Sequence, residues 1–197
     1  MLNKELNFSE AFNYVNNRLF INQMKQELNY LHIFIQGYLS KVDTILEIGI
    51  RNGGNICLLS RFLSDNGLII GIDPEEIITV DIELVSSIIN PAIFKFIKGR
   101  SQDYVVFDKV IHELADRKAD ILFIDGEHTY KAVKSDYETY SQLVNHPGII
   151  IFHDIGGFDT DNEDWPSFYW FKEIRKHKPY IEIVSNPPLC GLGILPV

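Results

Sequence analysis

From Asp43 onward, short apolar runs alternate with longer stretches of helical period, and this alternation restricts the fold more than any other feature of the chain. The runs are Thr44 to Ile48, Leu68 to Ile72, Ile93 to Ile97, Ile121 to Ile124 and Gly148 to Phe152. Between them, Asn55 to Leu63, Val80 to Ile89, Tyr104 to Leu114 and Tyr130 to Val144 carry helical patterns. A strand covered on both faces meets water on neither, so it reads as a continuous apolar run without polar alternation. Parallel neighbours need a crossover, which a helix supplies. The pattern therefore predicts an α/β fold, a mostly parallel sheet with helices on both faces. A helical stretch from Phe168 to Lys176 is followed by two late runs, Tyr180 to Val184 and Gly191 to Leu195. Only Ser185-Asn186-Pro187-Pro188 separates these two runs, with no helical pattern, so they are expected to pair antiparallel.

Ahead of the sheet, Phe8, Phe12, Val15 and Leu19 mark one amphipathic helix, and Leu28, Leu31, Ile35 and Leu39 a second. Residues 1–42 read as an N-terminal helical extension and 43–197 as the sheet domain. The extension is expected to pack as outer helices, with capping of the cleft or pairing with a second subunit as the alternatives.

Composition sets the outer bounds. Asp and Glu outnumber Lys and Arg by 27 to 18 in 197 residues, a formal charge of -9, and no basic cluster is dense enough to track phosphates, which excludes nucleic acid as a partner. The two cysteines, Cys57 and Cys190, lack the spacing of a zinc or redox motif and read as reduced core thiols. No apolar run approaches the ~20 residues of a spanning helix, and the N-terminus lacks a signal pattern. A cytoplasmic protein with no membrane association is expected.

The chemistry is concentrated where apolar runs end. Ile121-Leu122-Phe123-Ile124 stops at Asp125-Gly126-Glu127-His128, and in open parallel sheets ligands bind at the carboxyl ends of strands. Asp125 and His128 are thus the first candidates. The run Thr44 to Ile48 leads into Glu47-x-Gly49-x-x-x-Gly53 just before a helix. Glycines there allow a tight turn and close approach of a ligand to the backbone, beside the unpaired N–H groups of a helix N-terminus. This spacing differs from the G-x-G-x-x-G of a dinucleotide site. The next run ends in Asp73, placed to accept the hydroxyls of a ribose.

These residues make the chain resemble the class I S-adenosylmethionine-dependent methyltransferases, from about residue 43 to the end. Glu47-x-Gly49-x-x-x-Gly53 is similar to the family's cofactor loop, Gly71-Ile72-Asp73 to its ribose-binding acid, and Gly99-Arg100-Ser101-Gln102 to the turn that flanks adenine. The resemblance implies a Rossmann-like seven-stranded sheet with an antiparallel last strand, with Glu47, Gly49, Gly53, Asp73, Ser101 and Gln102 on the cofactor. Phe123-Ile124-Asp125-Gly126-x-His128-x-Tyr130 and Pro147-Gly148-Ile149-Ile150-Ile151-Phe152-His153-Asp154 resemble the branch of sugar and small-molecule O-methyltransferases, including proteins labelled cephalosporin hydroxylases. This implies S-adenosylmethionine as methyl donor and a hydroxyl of a sugar, glycan or other small molecule as acceptor.

Methyl transfer to oxygen needs the hydroxyl held in line with the sulfonium and relieved of its proton. His128 is the expected base, with Asp125 beside it. Asp125 and Asp154, at the ends of strands expected to be neighbours, could share a Mg²⁺, with His153 next to them. Metal-using relatives carry an acidic or acid-amide pair where this chain has His153-Asp154, and imidazole is a poor Mg²⁺ ligand, so the ligand types leave metal dependence open. Each residue also has a plainer reading. His128 and Asp154 could cap a helix or loop, Glu127 could be a solvated helix-start acid, and Tyr130, Tyr137 and Tyr140 could pack on the sheet. Trp165, Phe168, Tyr169 and Trp170 could line an acceptor pocket or simply be buried. Asp159-x-Asp161-x-Glu163 is not a calcium loop, because Asp164 and Trp170 stand where Gly and Glu are needed. Two other functions share these motifs: a catalytically inactive subunit that keeps the nucleoside pocket, and a nicotinamide-dependent oxidoreductase, which the missing dinucleotide loop disfavours.

Overall fold

The computed structural model describes residues 1–76, 78–156, 169–177, 179–184 and 190–197. Seven strands form one sheet: β1 (Val42–Ile48), β2 (Leu63–Asp73), β3 (Ile93–Lys98), β4 (Ala119–Ile124), β5 (Val144–His153), β6 (Ile181–Ile183) and β7 (Leu192–Pro196). Their order is β3-β2-β1-β4-β5-β7-β6. The first five are mutually parallel, and β7 runs antiparallel to both β5 and β6, as the two late apolar runs imply. The helices are α1 (Phe8–Asn16), α2 (Lys25–Tyr38), α3 (Gly54–Leu59), α4 (Ile82–Ile89), α5 (Tyr104–Leu114) and α6 (Tyr130–Tyr140). A π-helical turn, Trp170–Ile174, continues into Arg175–His177, and the two together are α7.

Because successive residues of a strand point to opposite faces, each strand feeds two cores. On one face Ile45, Ile69, Ile121, Phe123, Ile149 and Ile151 meet apolar residues of α1 to α4. On the other, Leu46, Ile70, Leu122, Ile124, Ile150 and Phe152 meet those of α5 to α7. The N-terminal helices take part fully: Ala11, Phe12, Val15, Leu28, Leu31 and Ile35 are buried in the first core. A reciprocal cap starts α1, where Asn7 Oδ1 accepts from the Glu10 amide and Glu10 Oε2 from the Asn7 amide.

Two helices end earlier than their apolar period suggests. After α3 the chain makes a 3₁₀ turn, Ser60–Phe62, and Leu63 already pairs with Val42 before the strand resumes its register with Leu68 opposite Thr44. After α6 the same happens: Val144 pairs with Ala119, and Ile149 rejoins opposite Ile121. Leu63 and Val144 are buried by the sheet, and burial alone cannot tell a last helical turn from a first strand position.

Tyr169 and Trp170 are buried in the second core. The Trp170 indole lies against Gly193 and donates to Glu182 Oε1 at 2.6 Å, so these two aromatic residues pack rather than face a ligand. Trp165, Phe168 and the Asp159-x-Asp161-x-Glu163 run lie outside the described residues. Tyr140 is likewise buried, its hydroxyl donating to the Ser101 carbonyl at 2.8 Å, and Tyr137 lies beside Phe152 and Tyr169. Among the described residues, no helix is long and apolar enough to cross a membrane.

Candidate functional site

A cleft of about 680 Å³ opens at the carboxyl ends of β1, β2, β4 and β5. It lies where strand order reverses, between β1 and β4, the position at which open α/β sheets leave a crevice. Of the residues singled out in the sequence, Glu47, Gly49, Asp73, Ser101, Gln102, Asp125, His128, His153 and Asp154 all line this cleft. Gly53 does not. It is the residue before α3, in a left-handed conformation (φ +85°), and it faces Val85 of α4.

One side of the cleft is built from the ends of β1, β2 and β3. At Gly49 (φ +83°) the amide donates to the Ile72 carbonyl at 2.8 Å, and a side chain would collide with the Asp125 carbonyl oxygen. The missing Cβ is what lets the ends of β1, β2 and β4 converge. Asp73 accepts from two backbone amides, Arg51 N to Oδ2 and Glu75 N to Oδ1, each at 2.7 Å. Both donors are non-glycine residues in the left-handed region, with φ of 52° and 55°. Burial raises the Asp73 carboxyl and the two amides partly offset it, leaving a lone pair on each oxygen for a further donor. Glu47 is fully buried, with Asn55 Nδ2 donating to Oε2 at 3.1 Å. Burial, and then the charge of Asp125, push its carboxyl well above the usual range.

Ser101 and Gln102 face the cleft from the turn after β3, and both donate to one oxygen of Asp136 on α6, at 2.7 and 2.8 Å. Gln102 spends its amide nitrogen there, which leaves its carbonyl oxygen as the free acceptor. Burial lifts Asp136 to about 7, against the opposing effect of these two donors. Sequence reading passed over Asp136. The signal existed: Val133, Asp136 and Tyr140 form one buried stripe of α6, and an acid inside such a stripe requires partners.

The other side holds four titratable groups. β4 and β5 are paired neighbours with Ile124 opposite Phe152, so Asp125 emerges beside His153-Asp154. His153 Nδ1 lies 3.0 Å from Asp125 Oδ1 and 3.4 Å from Asp154 Oδ1. His128 bridges the same two acids, Nε2 at 3.4 Å from Asp125 Oδ1 and Nδ1 at 3.4 Å from Asp154 Oδ2. Burial disfavours the Asp125 carboxylate, but His153 and His128 outweigh it and hold Asp125 well below the usual range. Burial also disfavours the His153 cation, and Asp125 and Asp154 overcome this, so His153 titrates well above an ordinary imidazole. The hydrogen bond to Asp125 raises His128, with burial opposing. Thr129, not His128, caps α6.

Two further residues reach this side. Gln23 lies between α1 and α2, is buried, and donates Nε2 to Asp125 Oδ2 at 2.6 Å. A lone glutamine in a connection between helices carries no sequence signal. Cys190 lines the cleft and is partly exposed, whereas Cys57 is the core thiol that composition implied; both are free.

Comparisons with known proteins agree with this architecture. An uncharacterized protein of Acanthamoeba polyphaga mimivirus is 30% identical over 167 residues, spanning 75% of this chain and 74% of its own. Among solved structures, the O-methyltransferase TomG from Streptomyces achromogenes, involved in tomaymycin synthesis and solved with SAM, superposes with a TM-score of 0.67 at 13% identity, covering 100% of this chain and 92% of that one. The MycE methyltransferase of the mycinamycin biosynthetic pathway, in complex with Mg, SAH and mycinamycin VI, gives a TM-score of 0.64 at 17% identity. That match covers 94% of this chain and 54% of MycE, so the chain spans about half of that protein. At these identities the structural matches establish the fold. The family follows from the sequence itself: residues 46–155, more than half of the chain, match the model described as a methyltransferase domain, and the chain belongs to that family.

Proposed function

We propose that this methyltransferase moves the methyl group of S-adenosylmethionine to a hydroxyl of a small molecule, with a sugar or glycan the favoured acceptor class. The observation that carries this reading is the division of one cleft into two chemically different sides. On one side, Gly49, Asp73, Ser101 and Gln102 offer a nucleoside its contacts; on the other, His128 stands between two carboxylates. The mycinamycin VI bound to MycE and the SAM bound to TomG support the choice of a small-molecule acceptor and of the donor.

The bound donor supplies an electrophilic methyl carbon. Asp73 accepts the ribose hydroxyls through the lone pairs its two amides leave free. The Gln102 carbonyl oxygen, fixed outward by Asp136, accepts from an adenine amino group. His128 takes the proton of the acceptor hydroxyl, and the flanking Asp125 and Asp154 favour the imidazolium so formed. Gln23 and His153 hold Asp125 from both sides, which keeps it oriented toward His128.

The donor set suits a divalent cation as well. Asp125, His128 and Asp154 each offer one ligand atom, all within 4.8 Å of one another. Asp125 and Asp154 fit a Mg²⁺ that keeps several of its waters, since that ion is commonly held through one or two carboxylates. Such an ion would lower the pKa of an acceptor hydroxyl and fix its position.

Calorimetric titration with S-adenosylhomocysteine tests the donor side. Saturable binding is expected, weakened about 10-fold or more in Asp73→Ala, roughly the loss of one or two hydrogen bonds to a charged group. An absence of binding at millimolar ligand would sink the proposal. Label transfer from methyl-labelled donor to a panel of sugars and phenols tests the acceptor side.

A further inference from the structure

His153 uses only one of its two nitrogens in the cleft. Nδ1 faces Asp125 and Asp154, while Nε2, on the far edge of the ring, is buried and has no hydrogen-bond partner among the described residues. The residue is 7% exposed, so solvent does not provide a partner freely, and a buried polar nitrogen left unsatisfied is destabilising. Beside it stand the carboxylate of Glu27, on α2, and the thiol of Cys190, just before β7. One ligand atom from each of Glu27, His153 and Cys190 falls within 4.8 Å of the other two. We propose that these three residues form a cation site, distinct from the Asp125 and Asp154 pair, that takes a borderline divalent ion of the Zn²⁺ class.

The donor chemistry selects the ion. Carboxylate, imidazole and thiolate together suit Zn²⁺ or Co²⁺, whereas Mg²⁺ and Ca²⁺ demand oxygen donors. Binding displaces the Nε2 proton of the imidazolium to solvent, places the metal on that nitrogen and leaves the ring proton on Nδ1, donated to Asp125. That is the carboxylate–histidine–metal arrangement in which the acid fixes tautomer and ring orientation. The thiol gives up its proton to solvent on binding. Tetrahedral zinc holds its ligands at about 2.0 to 2.3 Å, which sets neighbouring donors about 3.3–3.8 Å apart, so Glu27 and Cys190 close in by roughly 1 Å through side-chain rotation. Three protein ligands leave a fourth position open. The ligands also come from three separated parts of the chain, so the ion ties α2 to the end of β5 and the entry to β7, at the acceptor end of the cleft.

Full-length protein, freed of metal with a chelator and then titrated with Co²⁺ alone, tests this directly. One thiolate-bound cobalt per chain is expected, with a thiolate-to-cobalt charge-transfer absorption in the near ultraviolet that Zn²⁺ abolishes by displacement. Cys190→Ser should lose that absorption and Cys57→Ser should keep it. No charge-transfer absorption from wild-type protein, or absorption that survives Cys190→Ser, overturns the proposal. A second measurement needs no variant: Zn²⁺ should slow iodoacetamide alkylation of Cys190 at least about 10-fold, as expected when the reactive thiolate is tied up as a ligand. An unchanged rate also overturns it. Binding of S-adenosylhomocysteine by the same metal-free sample reports on the donor side separately, so failure of one reading is distinguishable from failure of the other.

Discussion

At the scale of the residue, function hangs on which groups face each other across a few ångströms. His128 touches both Asp125 and Asp154; His153 touches the same pair, but its side chain is 6% exposed against 41% for His128, so His128 is the imidazole an acceptor can reach. His128→Asn keeps a polar ring-sized group but cannot take a proton. It is expected to cut methyl transfer by about 100-fold or more while S-adenosylhomocysteine affinity stays within about twofold, because general-base contributions of that size are usual. Turnover retained at the wild-type level would remove His128 from the mechanism. Gly49 presents the opposite case, where a missing atom is the contribution: Gly49→Ala drives a methyl group into the Asp125 carbonyl at a left-handed position. Loss of donor binding together with a lower melting temperature is expected, read by calorimetry and circular dichroism.

At the scale of the element, α6 does more than cover the sheet. Its buried stripe carries Asp136, which holds Ser101 and Gln102 and sits at about 7. The sign of the resulting pH dependence follows from where the proton is held. An acid raised in the folded state keeps its proton there after the unfolded chain has lost it, so this contribution favours folding at low pH and fades as pH rises from about 4 through about 7. Holding a carboxyl near 7 instead of near 4 corresponds to at most about 4 kcal/mol. Asp136→Asn retains an oxygen for both donors and removes the titration. The stability of the variant relative to wild type should therefore rise between pH 5 and pH 8, measured by urea unfolding at each pH; a difference that stays flat would show Asp136 ionised throughout. The ends of α3 and α6 make a related point about elements. Both stop at a 3₁₀ turn because Leu63 and Val144 are drawn into the sheet, a competition between two apolar environments that residue type does not decide.

At the scale of the whole molecule, residues 1–42 and the sheet share one core, since Leu28, Leu31 and Ile35 of α2 are buried with Ile45, Ile69 and Ile121. Leu31→Ala, at a position 1% exposed, is expected to destabilise the chain by about 2–5 kcal/mol and to lower the midpoint of a single urea transition. A separate early transition for the helices would contradict the shared core. Much of this architecture was legible in the sequence, because a strand covered on both faces and an amphipathic helix each leave a local pattern: the five parallel strands, the late antiparallel pair and the helices between them follow from runs such as Ile121 to Ile124 and their spacing. The cleft was legible for the same reason, since Glu47, Asp73, Asp125 and Asp154 each interrupt an apolar run at a strand end. Gln23 reaching Asp125 from between two helices, Glu27 and Cys190 meeting behind His153, and Asp136 holding Gln102 from another helix were fixed only by the tertiary structure. Periodicity reports which face of an element is buried, but it carries nothing about which distant side chain arrives there, because that depends on crossing angles and strand order summed over the whole chain.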